Sequence, residues 1–172
     1  MRYKIISLPL CRERYKLNYN IMDKQKSIQA LQAYATGLAA QSRAHKVQSQ
    51  LFASQGLSKL AEKYDGHSVE EMDNVNKFIE RIIDLGGQPK VEAAPEFPIY
   101  SDPVEFIKAD LAISEREVPV LMQLTASLAE DFKTYDLLRE YALDEEEDMY
   151  WMQGTLELIE KIGIQNWLVT QL

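Results

Sequence analysis

The stretch from Gly86 to Pro103 constrains this chain more than any other feature. It holds Gly86, Gly87, Pro89, Pro95, Pro98 and Pro103. Proline lacks a backbone donor and clashes inside a helix, so the stretch reads as an irregular connection. Connections of that length are uncommon in compact domains and usually have a geometric task. On both sides of it apolar residues recur at three-four spacing, the period of a helix. Ahead of it, one stripe carries Ile28, Leu31, Ala35, Leu38, Ser42, His45 and Phe52, and a second carries Leu60, Tyr64, Glu71, Val75, Phe78, Ile82 and Leu85. Behind it, a third helix opens at Ser101-Asp102-Pro103, a capping residue followed by a first-turn proline. Its stripe runs Ile107, Leu111, Ser114, Val118, Leu121, Thr125 and Leu128, and Pro119 is expected to kink it without breaking it. The fourth helix is expected from about Tyr135 to Lys161, with Leu138, Tyr141, Glu145, Asp148, Met152, Leu156 and Ile159 inward, and Gly163 ends it. A short apolar tail, Ile164 to Leu172, follows.

Four long helices with short links inside each pair and one long link between the pairs define an all-α fold. Two antiparallel hairpins are joined by a crossover between helices 2 and 3, which is the topology of a ferritin-like four-helix bundle; a cytokine-type bundle needs two such crossovers. A length of 172 residues suits one domain, read as 22–172 with a basic extension over 1–21. No apolar run is long enough for a membrane span, and the start lacks the core of a secretory signal. The single cysteine, Cys11, excludes an internal disulfide framework and fits a reducing, cytoplasmic setting. With two histidines, His45 and His67, a His-rich metal site is out of reach.

Charge is unevenly divided. Residues 1–61 carry a balance of +8 and residues 62–172 one of -16, within a net charge of -8. Most of that acidity is a solvated face, but carboxylates in such number also attract cations. The informative acids are those that interrupt an apolar stripe, because a buried carboxylate is normally paired or metal-bound. Glu71, Glu145 and Asp148 do so. Oxygen-rich clusters of this kind suit hard cations or iron. Solvated stripe edges with Lys/Arg partners account for the same pattern, and periodicity alone does not separate the two.

Several segments together resemble the bacterioferritins. The run from Leu51 to Leu57, Glu70-Glu71-Met72, and Phe78 to Ile82 resemble the family's second-helix region. Ala109 to Ala112, Asp144-Glu145-Glu146 with Trp151, and the closing run from Ile162 to Leu168, similar to the start of the family's fifth helix, extend the match over about Met22 to Leu172. The resemblance implies a short C-terminal fifth helix, a hollow oligomeric shell, iron storage, and a di-iron site inside each bundle. That site takes one Glu from each of the first and third helices and Glu-x-x-His from the second and fourth. Here the corresponding positions hold Leu38, Glu71 with Asn74, Ser114, and Glu145 with Asp148. The resemblance therefore implies an iron-binding protein whose ferroxidase site is impaired or atypical, with no catalytic residue assigned. A register slip on the third helix would bring Glu115 or Glu117 inward. His45, on the Leu38 stripe, serves either as a polar packing residue or in an altered site with Glu71, Glu145 and Asp148.

Met72 occupies the place of the family's haem-ligating methionine, which implies a haem b site shared with a second subunit. The partners implied are iron ions and other subunits, either copies of this chain or a ferroxidase-competent relative; no membrane is expected. Residues 1–21 read as material ahead of a start at Met22, as a tail that meets nucleic-acid phosphates, or as an ordered extension. The acidic remainder disfavours nucleic acid. Two other functions stay open: a structural or interaction protein that keeps only the bundle, and a DNA-associated miniferritin-like role.

Overall fold

The computed structural model describes residues 23–94 and 96–172. The basic extension over 1–21, with Cys11, lies outside them. Asp23 caps the first helix, α1 (Lys24–Ser54), by accepting from the Lys26 amide at 3.2 Å. Gly56 turns the chain at φ +80°, and α2 (Ser58–Asp84) returns along α1. After the crossover, Asp102 accepts from the amides of Val104 and Glu105 at 2.8 and 3.1 Å and starts α3 (Pro103–Ala126). This helix continues through Pro119 without a break. Asp131 caps α4 (Phe132–Ile162), which begins three residues earlier than the apolar period indicates, because capping and not hydrophobicity sets the first turn. Gly163, at φ +80°, separates it from the short α5 (Ile164–Thr170).

The chain is a ferritin-like four-helix bundle with a short C-terminal helix. α1 packs on α2, α3 on α4, α2 on α4, and α5 on α4. Contacts at the ends give the directions. Lys26 Nζ donates to the Ser127 carbonyl at 3.1 Å, and Gln55 Nε2 to the Ser101 carbonyl at 2.9 Å, so α1 and α3 are antiparallel. The crossover is strapped along α1 by two glutamines. Gln32 gives to and takes from the Lys90 backbone (3.0 and 2.9 Å), and Gln48 does the same to Tyr100 (2.8 and 3.0 Å). Each side-chain amide replaces a missing backbone partner in a segment with no ladder of its own.

The apolar core is in two parts. One holds Leu31, Leu38, Phe78, Ile82, Leu121 and Leu138. The other, toward α5, holds Phe52, Leu60, Tyr64, Ile107, Met152 and Trp167. Between them lies a buried polar layer of Ser42, His45, Ser68, Glu71, Asp110 and Ser114.

Candidate metal centre

Helical spacing builds this layer. On α2, Lys63, His67 and Glu71 are four apart and share a face. On α3, Asp110 and Ser114 do the same, and on α4 Tyr141, Glu145 and Asp148 follow at four and three. The Ser42 hydroxyl donates to the Ser68 carbonyl at 2.7 Å, which fixes α1 against α2 at this level. His45 then sits between two carboxylates: its Nδ1 is 2.9 Å from Glu71 Oε1, and its Nε2 is 3.5 Å from Asp110 Oδ1. All three side chains are buried. Across the layer, Asp148 Oδ2 lies 3.0 Å from His67 Nδ1 and its Oδ1 lies 3.3 Å from Lys63 Nζ. Lys63 also lies 4.3 Å from the centre of the Trp151 ring, an additional cation–π contact.

The electrostatics follow from this arrangement. Burial opposes a charge on His45, but the Asp110 and Glu71 carboxylates outweigh it and push the imidazolium up to about 10. Burial lifts Glu71 above the ordinary carboxylate range, against the pull of His45. Burial, then the charges of Glu71 and Asp148, push Glu145 up to about 8. Asp148 is held low, since His67 and Lys63 overcome its partial burial.

Glu71, Glu145, Asp148 and His45 all line one cavity of about 30 Å³. His45 and Glu71 touch directly, whereas Asp148 is engaged by His67 and Lys63. Met72 does not line this space; it is 38% exposed on the outer side of α2. Glu115 and Glu117 are exposed, so the register slip that would turn either inward does not occur. The third-helix acid that does enter is Asp110, which periodicity passes over because Ile107, Leu111 and Ser114 complete a stripe without it. His67 and Lys63 were also missed. Their signal is present, since both precede Glu71 at multiples of four.

The positions that the resemblance gives to the bridging carboxylates of a di-iron group hold Leu38, which is buried in the apolar core, and Ser114. Among the described residues no group of three or more His, Cys, Asp or Glu is arranged to hold a metal ion. Three buried oxygens, Ser27 Oγ, Tyr64 Oη and Glu71 Oε2, have no hydrogen-bond partner among them; the other oxygen of the Glu71 carboxylate lies 2.9 Å from His45 Nδ1. Within this layer Glu71 and Asp110 are paired with His45, and Asp148 with His67 and Lys63. Among the described residues no helix is long and apolar enough to cross a membrane.

The ferritin-like domain family matches residues 28–162. The chain is similar to a bacterial ferritin of Neisseria meningitidis serogroup B, 38% identical over 130 residues that cover 73% of this chain and 83% of the relative. A bacterial ferritin of Pseudomonas aeruginosa is 31% identical over 149 residues, 84% of this chain and 96% of the relative. A bacterioferritin of Rhodobacter capsulatus is 27% identical over 113 residues, 64% of this chain and 70% of that protein. A bundle with this helix order and crossover, matched through all four long helices and along most of the length of bacterial ferritins, belongs to the ferritin-like family.

Proposed function

We propose that this chain is an iron-storage shell subunit whose bundle supplies structure, acidic surface and a haem ligand rather than ferroxidase chemistry. The observation that carries the reading is that inward acids of the bundle are held in ion pairs with the chain's own His and Lys. Where a di-iron group needs a bridging carboxylate from each hairpin, the chain has Leu38 and Ser114, and Glu71 and Asp148 are engaged by His45, His67 and Lys63. Iron is then cargo. Glu70, Asp73, Asp144 and Glu147 line a groove of about 360 Å³ between α2 and α4, an acidic face that concentrates cations. Burial and the neighbouring Glu147, Glu70 and Asp148 raise the Asp144 carboxyl, a sign that charge is crowded there.

Met72 supports the haem part. A soft thioether stands exposed beside Val69, one turn away on the same face and 63% exposed, so apolar surface and ligand lie together. When bound, haem b would supply electron transfer, and Met72 would help to hold it.

Stopped-flow mixing with Fe(II) under air tests the main reading. The purified oligomer is expected to lack a fast phase that saturates at two irons per chain, and to fill with iron only when co-assembled with a ferroxidase-competent subunit. A saturating fast phase from this chain alone would overturn it. Leu38→Glu, Ser114→Glu, Asn74→His and Asp148→His together complete the family's ligand pattern and are expected to introduce that phase. A Soret band lost in Met72→Leu tests the haem ligand.

A further inference from the structure

The helix α5 has seven residues. Isolated helices shorter than about 12–15 residues are marginal in water, so α5 is ordered by what it packs against. Two contacts do this. Trp167 is 2% exposed and lies in the apolar core with Phe52, Leu60, Tyr64 and Met152. At the far end of α5 the backbone meets α2: the Thr170 carbonyl accepts from Lys59 Nζ and the Gln171 carbonyl from the Lys59 amide, each at 3.0 Å.

Each helix end supplies what the other lacks. The first amides and the last carbonyls of a helix have no partner inside it. α2 begins after Leu57, whose side chain offers no cap, and Lys59 lies in its first turn. The Gln171 carbonyl does the work of a capping side chain there, and the Lys59 ammonium stands at the negative end of the α5 dipole. Both bonds end on Lys59, so the last turn of α5 and the first turn of α2 are held, or released, together.

The docked helix covers more than its own contacts. Tyr64 and Met152 line the small cavity of the charged layer and belong to the same apolar cluster as Trp167. The indole completes the apolar plug between that layer and this end of the bundle. On its other side α5 is joined to α4 through Gly163 alone, at φ +80°, a backbone conformation that glycine adopts without strain. A short helix with a one-residue joint at one end and two bonds to a single side of α2 at the other has the construction of a latch.

We infer that α5 is a latch, closed by Lys59 and Trp167, that seals the charged layer from solvent at this end of the bundle and opens together with the first turn of α2. The inference concerns access to the layer and does not depend on iron or haem.

Amide hydrogen exchange of the full chain, read by mass spectrometry, tests the coupling. Lys59→Met, which keeps the stem and drops the ammonium, is expected to speed exchange over residues 164–170 at least about tenfold, and Trp167→Ala to do the same over residues 58–63. Lys59→Arg keeps a donor and should keep the protection. Trp167→Leu replaces Trp167→Ala if the smaller side chain prevents folding. The chain has two tryptophans, so in Trp167→Ala and Trp167→Phe the partly buried Trp151 is the one that remains. Trp151 lines the cavity of the charged layer, and acrylamide quenching of its fluorescence reads access to that layer. Quenching should be stronger in Trp167→Ala than in Trp167→Phe, which keeps a ring in the plug. Unchanged exchange in α5 of Lys59→Met, or at the start of α2 in Trp167→Ala, shows two independent ends and overturns the latch. Equal quenching in the two Trp167 variants overturns the seal.

Discussion

At Gly87 a Cβ would lie 2.9 Å from Ile82 Cγ2, 3.0 Å from Ile28 Cδ1 and 3.1 Å from the Ile82 carbonyl oxygen. That carbonyl accepts from the Gly87 amide at 2.9 Å and is not free to move. Gly87→Ala is expected to cost about 1–3 kcal/mol, as overpacking does, whereas Gly37→Ala should gain up to about 1 kcal/mol from helix propensity. Urea unfolding followed by circular dichroism reads both. His45 poses a different residue-scale question. Replacing it with Leu leaves the Glu71 and Asp110 carboxylates buried without their cation, an expected loss of about 3–5 kcal/mol. Replacing Glu71 and Asp110 with Leu as well should recover much of that loss, because the unpaired charge, not the missing contact, is the expense. His45 was legible in the sequence as an inward residue, since it repeats the Leu31, Ala35, Leu38, Ser42 stripe. Its partner Asp110 was not, because their meeting depends on how α3 is rotated against α1, which the period of either helix leaves undetermined.

At the scale of elements, α4 is anchored where it begins. Asp131 accepts from the Thr134 amide and hydroxyl at 3.3 and 2.6 Å and from Arg81 Nη2 of α2 at 2.5 Å. Its side chain is almost wholly buried. Burial works against its charge, but bonds from Thr134 and Arg81 win and hold its pKa low. A depressed carboxylate pKa contributes stability above the unfolded value of about 3.9, and that contribution is lost as pH falls through the folded value. The wild-type protein should therefore lose stability in acid with a steeper slope than Asp131→Asn. At neutral pH Asp131→Asn should cost about 3–5 kcal/mol for stranding Arg81, and Asp131→Ala about 1 kcal/mol more for the missing cap. Denaturant titrations from acid to neutral pH separate the two effects. Caps such as Asp102 and breakers such as Gly163 made the elements readable from the chain alone. The glutamine straps were not readable, because Gln32 and Gln48 are bonded to backbone 58 and 52 residues away.

For the whole molecule, the question is what fills the polar layer between the two halves of the apolar core. A family member with metal there is stabilised by whatever binds, since a ligand held only by the folded state adds RT ln(1 + [L]/Kd) to its stability. Here His45 and Lys63 are part of the chain, so Glu71, Asp110 and Asp148 have counter-charges at neutral pH whether or not metal is present. The melting temperature of the protein is then expected to stay within about 1 °C between a chelator-treated sample and one equilibrated with Fe(II) without oxygen. Leu38→Glu with Ser114→Glu should behave oppositely. Two carboxylates introduced beside the buried layer lower the melting temperature when metal is stripped, and added metal restores it by pairing with them. Differential scanning calorimetry on both proteins, with and without metal, makes the comparison. A wild-type protein that rose sharply with Fe(II) would show that cations compete successfully with His45 and Lys63 for the carboxylates, and the layer would have to be reassigned as a metal site.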